Sequence, residues 1–420
     1  MTTLCGCKKY NFVIQYRKAT KGDDKVKSIG IVCEYDPFHL GHERQIRLIR
    51  EKNDDAVIVC LMSGNATQRG SLAVADKYTR AEAALASGAD AVLELPFPYS
   101  SSSAEFFASA AICLLDALEV NEVNFGSESG DIEELCDMAD VLLDPVFEKE
   151  YVARLEGDSS CGTARAYADA YLAVTGKKLE GGPNDILALN YIKAIKRSKS
   201  EIRPTTVKRL GSGFSETELT ENELPSARAI RRAFAEKEFE RAFSFMPLPS
   251  AQVYRRAAEQ GVFPTDATRL DAAVLSFFRL REAGELECFA EAGGGVASRL
   301  SSAARQARSV REMLSLAATK RYTDARLRRA VLFCLLGVEP DDLRATPRYT
   351  TLLAMNGRGR AFLSSRRNCG VKIVTKPADA PACRQRQLSE KLDALFVQVL
   401  PRPLSADAFF KRSPKILEND

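Results

Sequence analysis

The sequence predicts an α/β protein in which a doubly wound parallel sheet is followed by a mainly α-helical domain. Between residues 27 and 224, short β-branched runs alternate with longer amphipathic stretches, the pattern of a parallel sheet with crossover helices. From residue 225 to residue 420 nearly every segment has helical periodicity, with polar breaks such as Gly293-Gly294-Gly295. We therefore expect two domains, 27–224 and 225–420, preceded by an extension over residues 1–26.

The elements of the predicted sheet domain follow in the order strand, helix, strand, helix, strand. They correspond to the segments KSIGIVCEY, GHERQIRLIREK, AVIVCLMS, DKYTRAEAALASG and AVLELPF. A helix in SAEFFASAAICLLDALE, the strand EVNFGS, a helix from Asp131, short helices over 145–182, a helix after Asn184-Asp185 and the strand IRPTTVKRL complete the domain. Right-handed crossovers then place helices on both faces of the sheet.

The composition is that of an ordinary globular protein. Of 420 residues, 45% are hydrophobic and 28% charged, and the formal net charge of +4 makes any nucleic-acid affinity depend on a local patch. Eleven scattered cysteines are typical of reduced thiols, so we expect a cytoplasmic protein. No stretch has the apolar length of a membrane span, and Cys5-Gly6-Cys7 lacks the second ligand pair that zinc needs. We therefore expect a protein that neither associates with a membrane nor binds a metal ion through its own side chains.

The two histidines of the chain lie close together directly after the first strand. His39 and His42 flank Leu40-Gly41 in the segment DPFHLGH, where a helix is predicted to begin near Gly41. In an open α/β sheet, ligands bind beyond the carboxyl ends of the strands. The helix N-terminus attracts phosphates, and glycine allows them to approach the backbone closely. Two imidazoles one turn apart would stabilise charge as pyrophosphate leaves. The pattern favours a nucleotide site.

Two other interpretations of the histidine pair remain open. The histidines could be solvent-exposed side chains beside a turn, or they could be a pair of metal ligands. A zinc site would need a third ligand, and the chain has neither an HExxH pattern nor another histidine.

The segment GIVCEYDPFHLGH resembles the opening of the tRNA(Met) cytidine acetate ligase family, which has the pattern E-Y-N-P-F-H-x-G-H. This family is nucleotidyltransferase-like. Further similar motifs follow in the family's order between about residues 29 and 363. They are MSGN at 62–65, QRG at 68–70, ELP at 94–96, FGSE at 125–128, PNDIL at 183–187, VKR at 207–209, SA with IR at 226–231, and KRYT with Arg326.

The resemblance implies an ATP-dependent ligase that activates acetate as acetyl-adenylate and acetylates the wobble cytidine of elongator tRNA(Met). His39 and His42 would be the catalytic pair. The implied ATP-binding residues are Val32, Cys33, Glu34, Tyr35, Asp36, Pro37, Phe38, His39, Leu40, Gly41, His42, Glu43, Arg44, Gln45, Gly126, Asn184 and Arg209. Asn184 could read a nucleotide edge, and Arg209 could bind phosphate or the acyl-adenylate.

Three positions near these motifs are either ambiguous or differ from the family's pattern. Ser226 is either a residue that closes over the triphosphate or an ordinary helix N-cap. Asp36 replaces the family's usual asparagine, and its negative charge near phosphates calls for Mg²⁺ or a neighbouring cation. Phe214-Ser215 stands where relatives have Tyr-His.

A basic stretch between residues 297 and 329 is a candidate tRNA-binding surface. The stretch contains nine basic residues and two acidic ones, Glu312 and Asp324. Tyr322 lies among them and is a candidate for base stacking. The basic residues are Arg299, Arg305, Arg308, Arg311, Lys320, Arg321, Arg326, Arg328 and Arg329. A solvated helix face is the alternative.

Two other functions also remain open for the whole chain. A nucleotidyltransferase acting on a small phosphorylated metabolite would use the same histidine loop. An RNA-binding relative with a decayed ATP site would account for the changes at Asp36 and Phe214-Ser215.

Overall fold

We describe the protein from a computed structural model, in which residues 26–157, 163–210, 224, 226–319 and 321–418 are placed. The strands are β1 (Ser28–Cys33), β2 (Val57–Ser63), β3 (Ala91–Leu95), β4 (Glu122–Ser127), β5 (Arg203–Lys208), β6 (Tyr349–Met355), β7 (Lys372–Val374) and β8 (Lys415–Ile416). Residues 1–25 of the expected extension, and Phe214-Ser215, lie outside the described residues.

Helices account for most of the remaining described chain. They are α1 (Leu40–Lys52), α2 (Lys77–Ala86), α3 (Ala104–Ala117), α4 (Ile132–Leu143), α5 (Pro145–Gly157), α6 (Thr163–Thr175), α7 (Pro183–Ser198), α8 (Ala227–Ala235), α9 (Phe239–Ser244), α10 (Leu248–Glu259), α11 (Asp271–Arg279), α12 (Ala283–Leu286), α13 (Val296–Gln306), α14 (Val310–Ala317), α15 (Asp324–Leu336), α16 (Pro340–Arg344), α17 (Gly357–Ser364) and α18 (Arg384–Phe396).

The strands form one sheet in the order β5-β4-β1-β2-β3-β6-β7, with β8 paired to β6. The first five strands in this order, from β5 to β3, run parallel to one another, as the sequence predicts. The chain adds β2 and β3 on one side of β1 and then crosses to place β4 on its other side. The order of strands therefore reverses between β1 and β4, and the predicted α/β fold with a doubly wound sheet is confirmed.

The second half of the chain also contributes to the sheet, which the helical pattern after residue 225 does not predict. β6 runs antiparallel to β3, and β7 and β8 pair with β6. An uncovered β3 would expose a row of backbone hydrogen-bonding groups, and β6 satisfies them. The proposed division at residues 224 and 225 stays a prediction.

Helices cover both faces of the sheet, which explains why its central strands β1, β2 and β3 are mostly apolar. In β2, Ile58, Cys60 and Met62 pack with α1, α2, α8 and α10, whereas Val57, Val59 and Leu61 pack with α3 and α7. Helices α11 to α15 form a third apolar core of their own.

Candidate active site

The histidine loop lies at the reversal of strand order, just beyond the carboxyl end of β1. His39 is the N-cap of α1, which begins at Leu40, one residue before the predicted start. The positive end of the α1 dipole therefore lies where ligands bind in folds of this kind.

The two histidines hold each other and the helix start in a reciprocal cap. The Gly41 N–H donates to His39 Nδ1 at 3.0 Å, and the His39 N–H donates to His42 Nδ1 at 3.3 Å. The rings pack against each other at an interplanar angle of 30°, with centroids 3.8 Å apart. Because each Nδ1 accepts a backbone hydrogen bond, each neutral ring carries its proton on Nε2. The cap therefore fixes both Nε2 atoms as donors.

The surroundings keep both rings neutral. Burial, together with the charges of Arg209 and Arg231, lowers the pKa of His39 to about 3. Burial, His39 and Arg209 lower the pKa of His42 well below its usual value. A bound anion would oppose these effects, so the site is suited to a negatively charged ligand.

Gly41 is required by the position of the His39 ring. A Cβ atom at Gly41 would lie 2.8 Å from His39 Cε1 and 3.1 Å from His39 Nδ1. Any side chain at this position would displace the capping ring. The glycine between the histidines is thus explained by ring packing as well as by the phosphate approach that the sequence suggests.

Helices from the second half of the chain support the loop directly. The Phe38 N–H donates to the Tyr254 hydroxyl at 3.3 Å, and the Ser250 hydroxyl donates to the Phe38 carbonyl at 3.3 Å. The Leu40 N–H donates to the Phe245 carbonyl at 3.2 Å. The conformation of the loop therefore depends on contacts made by both halves of the chain.

Asp36 has the guanidinium of Arg231 beside it, so its negative charge is balanced by a neighbouring cation. Its Oδ2 lies 3.4 Å from Arg231 Nη1 on α8, and the same nitrogen donates to the Asp36 carbonyl at 2.5 Å. Asp36 Oδ1 accepts the Val74 N–H at 2.7 Å. The carboxylate is thus used to join three segments around the loop.

A shallow cleft, partly open to solvent, lies beside His39. Its walls bring together several of the predicted site residues with the ends of β4 and β5. The lining residues are His39, Gly41, Arg44, Gln45, Gly126, Val207, Lys208, Arg209, Leu210 and Leu224.

Gly126 and Arg209 meet in this cleft as a pair. A Cβ atom at Gly126 would lie 3.1 Å from Arg209 Cγ, so the glycine makes room for the arginine side chain. The Arg209 N–H donates to the Ser127 carbonyl at 2.9 Å, which continues the pairing of β4 with β5. Arg44 Nη1 donates to the Lys208 carbonyl at 3.1 Å and ties α1 to β5.

Other predicted residues do not line the cleft. Tyr35 and Phe38 are buried in the core, and His42 contacts the cleft residue His39 instead of lining the cleft itself. The Asn184 amide donates to Glu128 Oε1 at 2.6 Å, within a clamp that joins the start of α7 to the end of β4. Val32, Cys33, Glu34, Asp36, Pro37, Leu40 and Glu43 are also absent from the lining.

Arg80 is a structural residue that the sequence analysis missed. It is fully buried, and its guanidinium donates to the Glu34 carbonyl at 2.6 Å and to the carbonyls of Ser63 and Gly64. It therefore fixes the ends of β1 and β2 beside the loop. Its helix has an ordinary amphipathic sequence, so no local signal identifies it.

The basic stretch is only partly a surface. Arg329 is 8% exposed and its Nε lies 2.9 Å from Glu291, whereas Tyr322 is 7% exposed and its hydroxyl donates to the Gly294 carbonyl. Their predicted roles in phosphate contact and base stacking are therefore wrong, because both complete the packing around α13 and α15. The exposed arginines of the stretch are Arg299, Arg305, Arg308, Arg311 and Arg321. Lys320 lies outside the described residues.

Ser226 is the N-cap of α8, and its hydroxyl accepts the Ala229 N–H at 3.1 Å. The capping alternative thus accounts for this residue. Across the described residues, no group of three His, Cys, Asp or Glu side chains is arranged to hold a metal ion. The helices in the described part of the chain are too short or too polar to cross a membrane.

Comparison with known proteins gives a consistent family. A family model of HIGH nucleotidyl transferases matches residues 26–408. The tRNA(Met) cytidine acetate ligase of Clostridium perfringens is 34% identical over 369 residues, covering 84% of this chain and 90% of that protein. The corresponding ligase of Anoxybacillus flavithermus is 32% identical and covers 91% of this chain and 97% of its own.

Solved structures agree with this result. Thermotoga maritima TmcAL in its apo form matches with a TM-score of 0.87 and 32% identity, covering 94% of this chain and 100% of that one. The same protein bound with alpha-thio ATP matches with a TM-score of 0.85 and 31% identity, with the same coverage. By sequence, by fold and over nearly its whole described length, the chain belongs to the tRNA(Met) cytidine acetate ligase family.

Proposed function

We propose that the protein is an ATP-dependent ligase that acetylates the exocyclic amine of the wobble cytidine of elongator tRNA(Met). The observation that carries this proposal is the reciprocal histidine cap at the mouth of the cleft. It presents two neutral imidazole donors at a helix N-terminus, in a chain whose relatives are named for this reaction.

In the first step, a carboxylate oxygen of acetate attacks the α-phosphorus of ATP. The bond from that phosphorus to the bridging oxygen breaks, and acetyl-adenylate and pyrophosphate form. Negative charge grows on the leaving pyrophosphate. We assign its stabilisation to the positive end of the α1 dipole, the Nε2 proton of His39 and the guanidinium of Arg209.

Neutral histidines suit this task. A ring with a low pKa stays neutral and keeps its one proton on Nε2. That N–H can therefore donate a hydrogen bond to ATP without any change in the protonation of the ring. The His42 ring packs against the His39 ring, and its Nδ1 accepts the His39 N–H, so we assign His42 to holding the first ring in place as well as to the catalytic pair.

In the second step, the cytidine amine attacks the carbonyl carbon of acetyl-adenylate and AMP leaves. The amine loses a proton to solvent, and the N4-acetyl group remains on the tRNA. The cytidine has to leave its stack in the anticodon loop to reach the cleft. The candidate contacts to the tRNA backbone are the exposed arginines of the basic stretch, Arg299, Arg305, Arg308, Arg311 and Arg321.

Two further assignments belong to this proposal. Mg²⁺ would enter with the phosphates of ATP, because Asp36 is already engaged by Arg231 and by the backbone of Val74. The reaction would take place in the cytoplasm, where the free thiols found among the described cysteines remain reduced.

The test compares pyrophosphate release from ATP with and without acetate, followed by mass analysis of tRNA nucleosides. The variant is His39→Asn, because asparagine still caps a helix but lacks the imidazole Nε2 donor. The matched control is Arg47→Ala, on the exposed side of the same helix. We expect His39→Asn to lower turnover by about 10²- to 10³-fold and the control to behave as wild type.

The outcomes separate this function from the alternatives. Acetate-dependent pyrophosphate release with N4-acetylcytidine formed supports the ligase. Release that needs a phosphorylated metabolite instead of acetate supports a nucleotidyltransferase of the other kind. Binding of tRNA with no release at all supports a protein that only binds RNA.

A further inference from the structure

A second cavity lies near the end of the sheet formed by β6 and β7. Its volume is about 320 Å³. Leu352 and Met355 of β6, Leu363 of α17, and Val371 and Ile373 next to and within β7 give it an apolar floor. Small-molecule pockets have volumes of this order and are mostly apolar.

This cavity is far from the histidine cleft. Met355 pairs with Ala91 at the amino end of β3, whereas His39 follows the carboxyl end of β1, three strands away. Strand spacing and residue rise place the two sites roughly 20 Å apart. Leu352 and Val371 also belong to the core on the α3 face, whereas α1 packs on the opposite face. A ligand here would not touch the reacting atoms of ATP.

The rim of the cavity is strongly positive. It contains Arg360, Arg366, Arg367 and Lys372, and the lining residues in the described chain include no acidic side chain. Arg360 and Arg367 are exposed, and neither side chain makes a hydrogen bond or ion pair within the described residues. Lys372 Nζ donates to the Asp379 carbonyl at 3.0 Å. Four cations around one opening repel one another unless an anion lies between them.

Arg366 is the member of this group that is built into the wall. It is 4% exposed, and its Nε and Nη2 atoms are buried without a hydrogen-bond partner. Nη1 donates to the Ser365 hydroxyl, the guanidinium lies 4.5 Å from the Phe362 ring, and the Glu119 carboxylate is 3.9 Å from Nε, beyond hydrogen-bond distance. A buried guanidinium with unmet donors is unfavourable, and nearby negative charge would offset it.

We propose that this cavity binds a small phosphate monoester of mononucleotide size. The phosphate lies among Arg360, Arg366, Arg367 and Lys372, and the apolar part of the ligand rests on the floor formed by Leu352 and Ile373. A concave cavity of this volume with an apolar floor favours a small molecule over an RNA backbone. The site is additional to the proposed ligase activity and does not depend on it.

The experiment is hydrogen–deuterium exchange of the full-length protein, with AMP as the probe. Peptides that cover residues 352–375 report on this cavity, and peptides that cover 39–45 report on the histidine cleft, so binding at the two sites is resolved. The test variant is Arg360→Gln with Arg367→Gln, since both side chains are exposed and unpaired. The matched control is Arg348→Gln with Lys376→Gln, which removes two exposed charges nearby that do not line the cavity.

The proposal expects AMP, but not adenosine, to protect residues 352–375 in the wild type and in the control. In the test variant, the concentration of AMP that gives half protection should rise by at least about tenfold, while the cleft peptides respond as before. Absence of protection at millimolar AMP, or equal protection in the test variant, would overturn the proposal. Protection of 352–375 by tRNA but not by AMP would also overturn it and assign the cavity to RNA.

Discussion

Replacing Gly41 with alanine should separate activity from stability. The new Cβ would lie 2.8 Å from His39 Cε1, so the ring would have to move by about 0.6 Å to reach an ordinary contact of 3.4 Å. The ring has little room to move, because it is 3% exposed and its centroid lies 3.8 Å from that of the His42 ring. The substitution therefore displaces the capping ring, with its Nε2 donor.

The two contributions to stability nearly cancel. Weakening the bond from the Gly41 N–H to His39 costs about 1 kcal/mol, and alanine in a helix gains about the same over glycine. The melting temperature should stay within about 3 °C of the wild type. Catalysis is less tolerant, since a 1 Å misplacement costs about 10²-fold, and we expect a loss of about 10- to 100-fold in kcat/KM for ATP.

The assay is acetate-dependent pyrophosphate release, measured beside thermal melting of the same samples. Gly284→Ala is the matched control, because a Cβ at Gly284 meets nothing within 4 Å. Wild-type kinetics in Gly41→Ala would refute the view that the ring position is set by this glycine. A large fall in melting temperature would show that the loop is mainly a folding element.

Three other predictions concern pH, packing and RNA. The pKa of His39 is about 3 in the folded protein and about 6.5 in the unfolded chain, so protons favour the unfolded state as pH falls through 6.5. Between pH 8 and pH 5 the wild type should therefore lose about 2 kcal/mol more of its unfolding free energy than His39→Asn. Equal losses in denaturant titrations would contradict the low pKa of His39. Arg80→Met removes the donor to four carbonyl groups and should cost about 3 kcal/mol or more in the same titrations, which a wild-type midpoint would disprove. Arg305→Gln with Arg311→Gln should weaken tRNA binding and lower the slope of log affinity against log salt by about 1 to 2, and an unchanged slope would remove these arginines from the tRNA surface.

Local signals explain why much of the fold was predictable. Strands β1, β2 and β3 are mostly apolar on both faces and the helices between them are amphipathic, so the order of these elements follows from periodicity. Asp131 and Ser226 are N-caps in the structure, as their residue types suggest. The histidine loop was identifiable because its chemistry lies within seven consecutive residues.

The remaining features depend on contacts between distant parts of the chain. β6 pairs with β3 across more than 250 residues, and its sequence TTLLAM lies in a region dominated by helical patterns. Lys77 is buried between Glu94 at 3.0 Å and Asp393 at 2.9 Å, a contact between α2, β3 and α18. Such pairings have no periodic signature, since a charged residue on a helix is usually exposed.

The basic stretch shows the same limit at the level of function. Counting charges groups Arg329 with Arg305, yet Arg329 is buried against Glu291 and Arg305 is exposed. Likewise, Asn184 has the residue type expected of a nucleotide contact, but its amide is bound to Glu128. Sequence identifies the chemistry that a side chain offers, whereas its partners in the fold determine whether that chemistry is free for a ligand.

The most direct test of the central claim follows the oxygen atoms of acetate. With both carboxylate oxygens labelled with ¹⁸O, attack on the α-phosphorus leaves one label in the phosphate of AMP and one in the acetyl group of N4-acetylcytidine. Mass spectrometry of AMP and of the tRNA nucleosides after one round of reaction should find this equal division. Label in inorganic phosphate, or AMP without label, would contradict an acetyl-adenylate formed in the histidine cleft.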